Sequence, residues 1–336
     1  MTVIDIHTHV FTEAMIASMQ KAAPSLKLQL KPIDRDSAVL EIADIVQNPF
    51  PRQAWDLEQR FADMDAAGVD MHLICNVPHT FLYEEEAALA AATSAINNDS
   101  IAALVTQFPA RFRGLATLPM QSPERAANEL RRAMSDLGLI GAHIGSNVDG
   151  RNLDDPALEP VWQVAGERGA FILVHPHKIA ARERLKSYYL TNLIGNPLET
   201  TIAAASLVFG GVVERHPGIR FLFAHGGGFV PYQLGRFCHG WAVRPEPKVR
   251  LKGDPQASLA KLCYDTILHS DETLAFLVGS VGAARVCLGS DYPFDMGYYD
   301  GVGQIRRLTI PESDRGLILG GNVASLCSTG RYPLVR

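Results

Sequence analysis

The chain has 336 residues, a formal net charge of −5, 47% hydrophobic and 20% charged side chains. That length suits one large α/β barrel or two ordinary domains, and the balance is that of a globular protein with a sizeable core. No Lys/Arg cluster offers a footprint for nucleic acid, no apolar run approaches the roughly 18 residues of a membrane span, and MTVIDIHTHV has no signal-like stretch, so neither nucleic acid nor membrane is an expected partner and a cytoplasmic location is expected.

The first strand-like run is Val3–His9, ending in His-x-His. Residues 10–55 then intervene before a helical stretch at Leu57–Ala67, where an ordinary βα loop has about two to six residues. Within this insertion LKLQLK and SAVLEIADIV alternate apolar and polar, which predicts a small hairpin; its position predicts a lid or a wall of the substrate entrance. Gly68 closes the helix as a C′ residue, and Val69–Cys75 is the second strand run. There follow a helix over Tyr83–Phe108, a strand over Gly114–Pro119, and a helix over Pro123–Leu137 with Ser122 as N-cap and Pro123 in its first turn. Gly141–Gly145, Phe171–His175, Arg220–His225, Leu262–Leu268 and Arg285–Ser290 complete the strands. Helices over Leu158–Arg168, Glu199–His216 and Asp271–Val281 lie between them. Strands alternating with helices predict a parallel (β/α)8 TIM barrel, one domain over 1–336 with 10–55 inserted after the first strand. No GxGxxG follows the first strand, which removes the usual dinucleotide signal. The five cysteines, at 75, 238, 263, 287 and 327, form no metal-binding pair and no disulfide framework. Cys75, Cys263 and Cys287 read as small core residues.

Five polar residues end apolar strand runs: His7 and His9 in IDIHTH, His175 in FILVHP, His225 in FLFAHGGG and Asp291 in VCLGSDYP. In a parallel barrel the strand ends meet on one face, so the five can converge. Imidazole and carboxylate suit a borderline divalent ion, with Zn²⁺ the commonest and Mn²⁺ or another transition ion the alternative. His7 and His9 share a face by the two-residue period. Asp5, of the same parity, is either an outer partner of these histidines or a satisfied buried carboxylate. His225 reads as a ligand or a free acid/base, and Asp291 as a ligand, a base or both in turn. His177 reads as a pocket or a solvated loop residue. His72 and His143 fall mid-strand, while His269 follows a strand end and is the outsider best placed to touch the pocket. No lysine ends the fourth strand, so one cation rather than two is expected.

These residues, with the segments GLATLPMQSPERAANEL, FILVHP, GGVVERHPGIRFLFAHGGGFVPYQLGR and VCLGSDYPF, resemble the amidohydrolase superfamily, in the branch of α-amino-β-carboxymuconate-ε-semialdehyde decarboxylase and related aromatic-acid decarboxylases. The resemblance covers nearly the whole chain. It implies a zinc site of His7, His9, His175 and Asp291 completed by water, with His225 unligated and acting on that water as acid/base. It also implies that Arg236, in LGRFCHGW, reaches the neighbouring subunit's site to bind a substrate carboxylate, hence a homodimer, and that Phe294 is a pocket aromatic. The chain departs from the family at three places. Asn48 stands where an arginine is expected, with Arg52 displaced nearby, and His177 and Asn192 stand in place of two tryptophans, which makes the substrate-binding wall more polar.

The expected activity is metal-dependent, non-oxidative decarboxylation of a small unsaturated or aromatic carboxylic acid with a hydroxyl, amino or oxo group ortho to the carboxylate. Loss of CO₂ from an sp² carbon is slow unless that carbon is protonated first or hydroxide adds beside it. Zn²⁺ would polarise the substrate, His225 exchange the proton, Asp291 assist and Arg236 hold a carboxylate. The alternative at the same site is a metal-dependent hydrolase (lactonase or amidohydrolase) or a hydratase.

Overall fold

The computed structural model describes residues 1–327, and there the strand–helix alternation closes into a (β/α)8 barrel. Its strands are β1 Ile4–Val10, β2 Met71–Asn76, β3 Phe112–Gly114 continued by Ala116–Thr117, and β4 Gly141–Gly145. The second half is β5 Phe171–His175, β6 Arg220–Phe223, β7 Cys263–Asp265 and β8 Val286–Cys287. Each runs parallel to the next. The ring closes through a parallel bridge of Thr8 with Tyr292 and the bonds Ile6 N to Leu288 O and Asp291 N to His7 O, each 2.9 Å. One small apolar cluster takes residues from all round the ring, among them Ile4, Ile6, Leu73, Leu115, Phe171, Leu222 and Cys287. This is the filled lumen of a packed barrel, so chemistry is confined to its ends. The larger cluster lies between sheet and helices.

Helix bounds follow the sequence closely at Leu57–Ala67 and Asp271–Val281. Gly68 adopts φ 69° and its N–H satisfies the Asp65 and Met64 carbonyls, the left-handed C-cap expected of it. The helix expected over Glu199–His216 starts earlier and is split into Asn196–Phe209 and Val212–Arg215, because Gly211 turns left-handed at φ 73°. Ser122 precedes Pro123 as expected, but its hydroxyl makes no capping bond.

The hairpin expected in the insertion is a three-stranded antiparallel sheet of Gln29–Pro32, Ser37–Ile42 and Ile45–Pro51. Pro49 and Pro51 argue against a central strand, and the third strand is indeed an edge, where a missing N–H is tolerated. A helix, Glu13–Ala22, comes first, capped by Thr12 Oγ1 accepting from Met15 N at 3.3 Å. Its three buried residues, Met15, Ile16 and Met19, were too few to stand out as a periodic stripe. All five cysteines are free, and Cys75, Cys263 and Cys287 are buried. Among the described residues no helix is long and apolar enough to cross a membrane.

Candidate metal centre

The ends of β1, β5, β6 and β8 bring five side chains together. His7 Nε2 lies 3.2 Å from His9 Nε2 and 3.4 Å from Asp291 Oδ1, and His9 Nε2 is 3.1 Å from the same oxygen. The His175 ring is 5.4 Å from those of His7 and His9, edge to face. His225 Nε2 is 3.4 Å from the other Asp291 oxygen. The ligand atoms of His7, His175, His225 and Asp291 all fall within 4.8 Å of one another. His7, His9, His175 and Asp291 are buried, and His225 is half-buried at the mouth.

The two-residue period holds from His7 to His9 but not from Asp5 to His7. Between Asp5 and Thr8 the register slips, so that three steps along β1 match two along β2. This bulge turns His7 inward with His9 and leaves Asp5 outside the cluster. The Asp5 carboxylate accepts from the backbone N–H groups of His7 and Ser290, each at 3.1 Å, and burial raises its pKa to about 7. It braces backbone and, at 3.9 Å, faces the His72 ring on the outer side of the strand rather than the rings of the cluster.

The ring partner is Asp265 at the end of β7, a residue the sequence reading passed over. Its Oδ2 accepts from His7 Nδ1 at 2.8 Å and from His225 N at 2.9 Å, and its Oδ1 from Gly226 N at 2.7 Å. Gly226 must be glycine for this approach: it has φ 62°, and a Cβ there would lie 2.4 Å from Leu268. His225 and Asp291 are themselves left-handed, at φ 55° and 60°, a conformation that costs a non-glycine residue about 1–3 kcal/mol and clusters at functional sites.

These outer bonds fix the tautomers. His7 Nδ1 faces a carboxylate, His9 Nδ1 faces the Asn76 carbonyl at 3.1 Å, and His175 Nδ1 faces the Pro176 carbonyl at 3.0 Å. All three acceptors can only accept, so each neutral ring carries its proton on Nδ1 and a lone pair on Nε2. With all three rings neutral, as a bound cation would require, three lone pairs and a carboxylate face one another. That donor set fits a divalent cation held by His7, His9, His175 and Asp291. His225 differs: among the described residues its Nδ1 is buried without a partner, and its ring is held through Nε2, which faces Asp291 Oδ2.

Charges follow the same division. Burial holds His175 well below the usual imidazole range, and it outweighs the pull of Asp291 on His7. For His9 burial opposes the charge, but Cys75 and then Asp291 hold its pKa up at about 10. Burial likewise opposes ionisation of Asp291, yet His7, His225 and His9 keep the carboxylate well below its ordinary value. His225 is raised against burial by its bond to Asp291.

Two further histidines adjoin the cluster. His143, mid-strand in β4, is fully buried, 5.3 Å from the His9 ring and 4.7 Å from that of Phe81. His79 lies 6.2 Å from Phe294, and burial lowers its pKa to about 4. Phe294 sits 5.3 Å from His9, at the edge of the centre. His177 is packed edge to face on Phe81 and Tyr83 and is bonded to Glu84 Oε1 at 3.2 Å, so it belongs to the rim. Asn192 is half-buried in the turn Thr191–Gly195, and Asn48 is exposed on the insertion. Arg52 is engaged by Asp56 at 2.8 Å and by the Arg35 carbonyl at 3.2 Å. Arg236 is exposed on the helix Val230–Val243, and His269 is exposed beside Tyr298.

Comparison with known proteins places this geometry in a lineage. Residues 4–326 match the family model described as Amidohydrolase. The 2-amino-3-carboxymuconate-6-semialdehyde decarboxylase of Dictyostelium discoideum is 36% identical over 295 residues, 88% of this chain and 82% of that protein. Among solved structures, 5-carboxyvanillate decarboxylase from Sphingomonas paucimobilis superposes with a TM-score of 0.82 at 23% identity, covering 98% of this chain and 99% of that one. Dihydroxybenzoic acid decarboxylase from Polaromonas sp. JS666, solved with manganese and 2-nitroresorcinol, gives 0.79 at 22% identity over 97% of each chain. The chain belongs to the amidohydrolase family.

Proposed function

We propose that the protein is a metal-dependent, non-oxidative decarboxylase of a small unsaturated or aromatic carboxylic acid. The observation that carries this reading is the set of three Nε2 atoms and one carboxylate at the barrel mouth, with the His225 ring, bonded through Nε2 to Asp291, beside it. The decarboxylases among its relatives supply the reaction class. Zn²⁺ is the ion that a three-imidazole, one-carboxylate set suits best, and Mn²⁺ is the ion bound in a related structure.

When bound, the cation supplies Lewis acidity that polarises an oxygen of the substrate. His7, His9 and His175 hold it with Nε2, their rings oriented by Asp265 and the Asn76 and Pro176 carbonyls. Asp291 contributes a carboxylate oxygen and bonds His225 Nε2 through the other. His225 Nε2 thus exchanges the proton that replaces CO₂ on the substrate carbon, and Asp291 sets its charge. Phe294 packs on one side of the acid, and His177 and Asn192 set the polarity of its wall. The insertion 10–55 forms a wall of the entrance.

Arg236 holds a carboxylate of the acid in a neighbouring subunit, in a homodimer. Support comes from the helix Val230–Val243, which buries only Val230 while exposing Tyr232 (79%) and Val243 (60%). Among the described residues Arg236 itself forms no ion pair, leaving its guanidinium free for a carboxylate.

The test is CO₂ release from a panel of ortho-hydroxy and ortho-amino aromatic acids, run beside lactone and amide hydrolysis with metal content measured. Cation-dependent CO₂ release is expected. Hydrolysis without CO₂ release would replace this reading with the hydrolase. For the dimer, mixing Arg236→Ala with His225→Ala protein should restore part of the activity that each lacks alone; no recovery from mixed, exchanged subunits would contradict the shared site.

A further inference from the structure

We propose that Arg60 is a positioning residue of the cation site: one buried guanidinium that fixes, from outside the barrel wall, both the strand end carrying His9 and the turn carrying Asp291. The inference rests on the cation site proposed above.

Arg60 lies on the helix Leu57–Ala67, four residues before Met64 and so on the face that packs against the barrel. Its side chain is fully buried. Nη2 donates to the carbonyl of His9 itself and, at 3.3 Å, to the Gln53 carbonyl of the insertion. Nη1 meets His72 Nδ1 at 3.3 Å. The guanidinium carbon stands 4.6 Å from the centre of the Tyr292 ring, the residue after Asp291, within reach of a cation–π contact. Tyr292 is held in turn by its hydroxyl donating to Asp63 Oδ2 at 2.7 Å, from the same helix.

Among the described residues Arg60 forms no ion pair. Asp5 and Asp63 are near enough to favour its charge but neither pairs with it directly, and a buried cation without a direct ion pair is a poor way to stabilise a fold. What the guanidinium provides is direction. Its planar fork reaches the His9 peptide, the insertion and the Tyr292 ring at once, and these flank two of the four ligands. Turning the His9 peptide would carry the ring away from the Asn76 carbonyl that fixes its tautomer. Swinging Tyr292 would carry Asp291 with it.

The test substitutes Arg60→Lys, which keeps the charge and removes the fork. Deleting the charge would confuse the result, since losing a nearby cation by itself favours metal uptake. Metal-stripped wild type and R60K are loaded with Co²⁺, and its visible ligand-field absorption and its dissociation constant are measured. R60K should show an altered band and bind about tenfold more weakly, as loss of a group orienting a ligand does. A band and affinity equal to wild type would overturn the proposal. His72→Phe, which removes the Nη1 acceptor and the nitrogen facing Asp5 but keeps a ring beside Tyr292, should move the band in the same direction by less. If R60K is unfolded by circular dichroism, H72F decides: an altered band supports the proposal and an unchanged one overturns it. Wild type that takes up no Co²⁺ would instead sink the cation site, and that is seen before any variant is made.

Discussion

The floor and the rim of the barrel mouth are both polar, yet they are built in opposite ways. On the floor the side chains are buried, and the rings of His7, His9 and His175 each have Nδ1 assigned to an acceptor. On the rim Glu84 receives His177 Nε2 at 3.2 Å and Lys178 Nζ at 2.9 Å, while Lys178 also reaches Asp149 at 2.8 Å, with side chains 42% and 59% exposed in that last pair. Such solvated pairs stabilise little, whereas a buried donor deprived of its partner is costly. The floor therefore tolerates almost no substitution and the rim tolerates much.

Four substitutions test the difference between floor and rim. Asp291→Ala should have the largest effect: loss of the bound ion in metal analysis and a fall in turnover of at least about a thousandfold. Retained metal would place the ligand set elsewhere. His225→Ala should keep full metal content while turnover falls roughly 10²–10⁴-fold, the range of a lost acid/base. Full turnover would remove His225 from the chemistry. Asp265→Asn should weaken metal affinity about 10–100-fold by freeing the His7 ring, with a chelator titration as the readout.

The rim should respond least, through pH. Burial opposes ionisation of Glu84, but hydrogen bonds from His177 and Lys178 lower its pKa to about 2 from the ordinary 4.5. An acid lowered on folding contributes stability above its unfolded pKa and loses it as pH falls through its folded one. Glu84→Gln should thus cost less than about 1 kcal/mol at pH 7, given its partial exposure, and the difference from wild type should fade by about pH 2. An effect of several kcal/mol in denaturant unfolding would show that the rim is no softer than the floor.

The contrast also explains what could be read from sequence. His7, His9, His175, His225 and Asp291 were visible because each ends an apolar run, and a barrel brings such ends together. Asp265 was hidden inside LCYDTIL, where a lone acidic residue in an apolar strand is easily taken for part of the core. The parity of Asp5 misled because a bulge cannot be seen without the partner strand. Arg60 carries a signal, its spacing of four from Met64 on the apolar face of LEQRFADMDAA, which a charged side chain in an amphipathic helix easily hides. The rim was the least legible part. Whether His177 faces the pocket or Glu84 depends on a contact with a residue far away in sequence, which no local pattern carries.

If the proposed function holds, the cluster releases CO₂ only with its cation in place. The most direct measurement takes one acid that the protein decarboxylates, labelled in its carboxylate, and follows ¹³CO₂ with protein as isolated, stripped by chelator and reloaded with one equivalent of Zn²⁺. Loss of release on stripping and its return on reloading are expected. Undiminished release by stripped protein, with the residual metal content far below one equivalent, would contradict it.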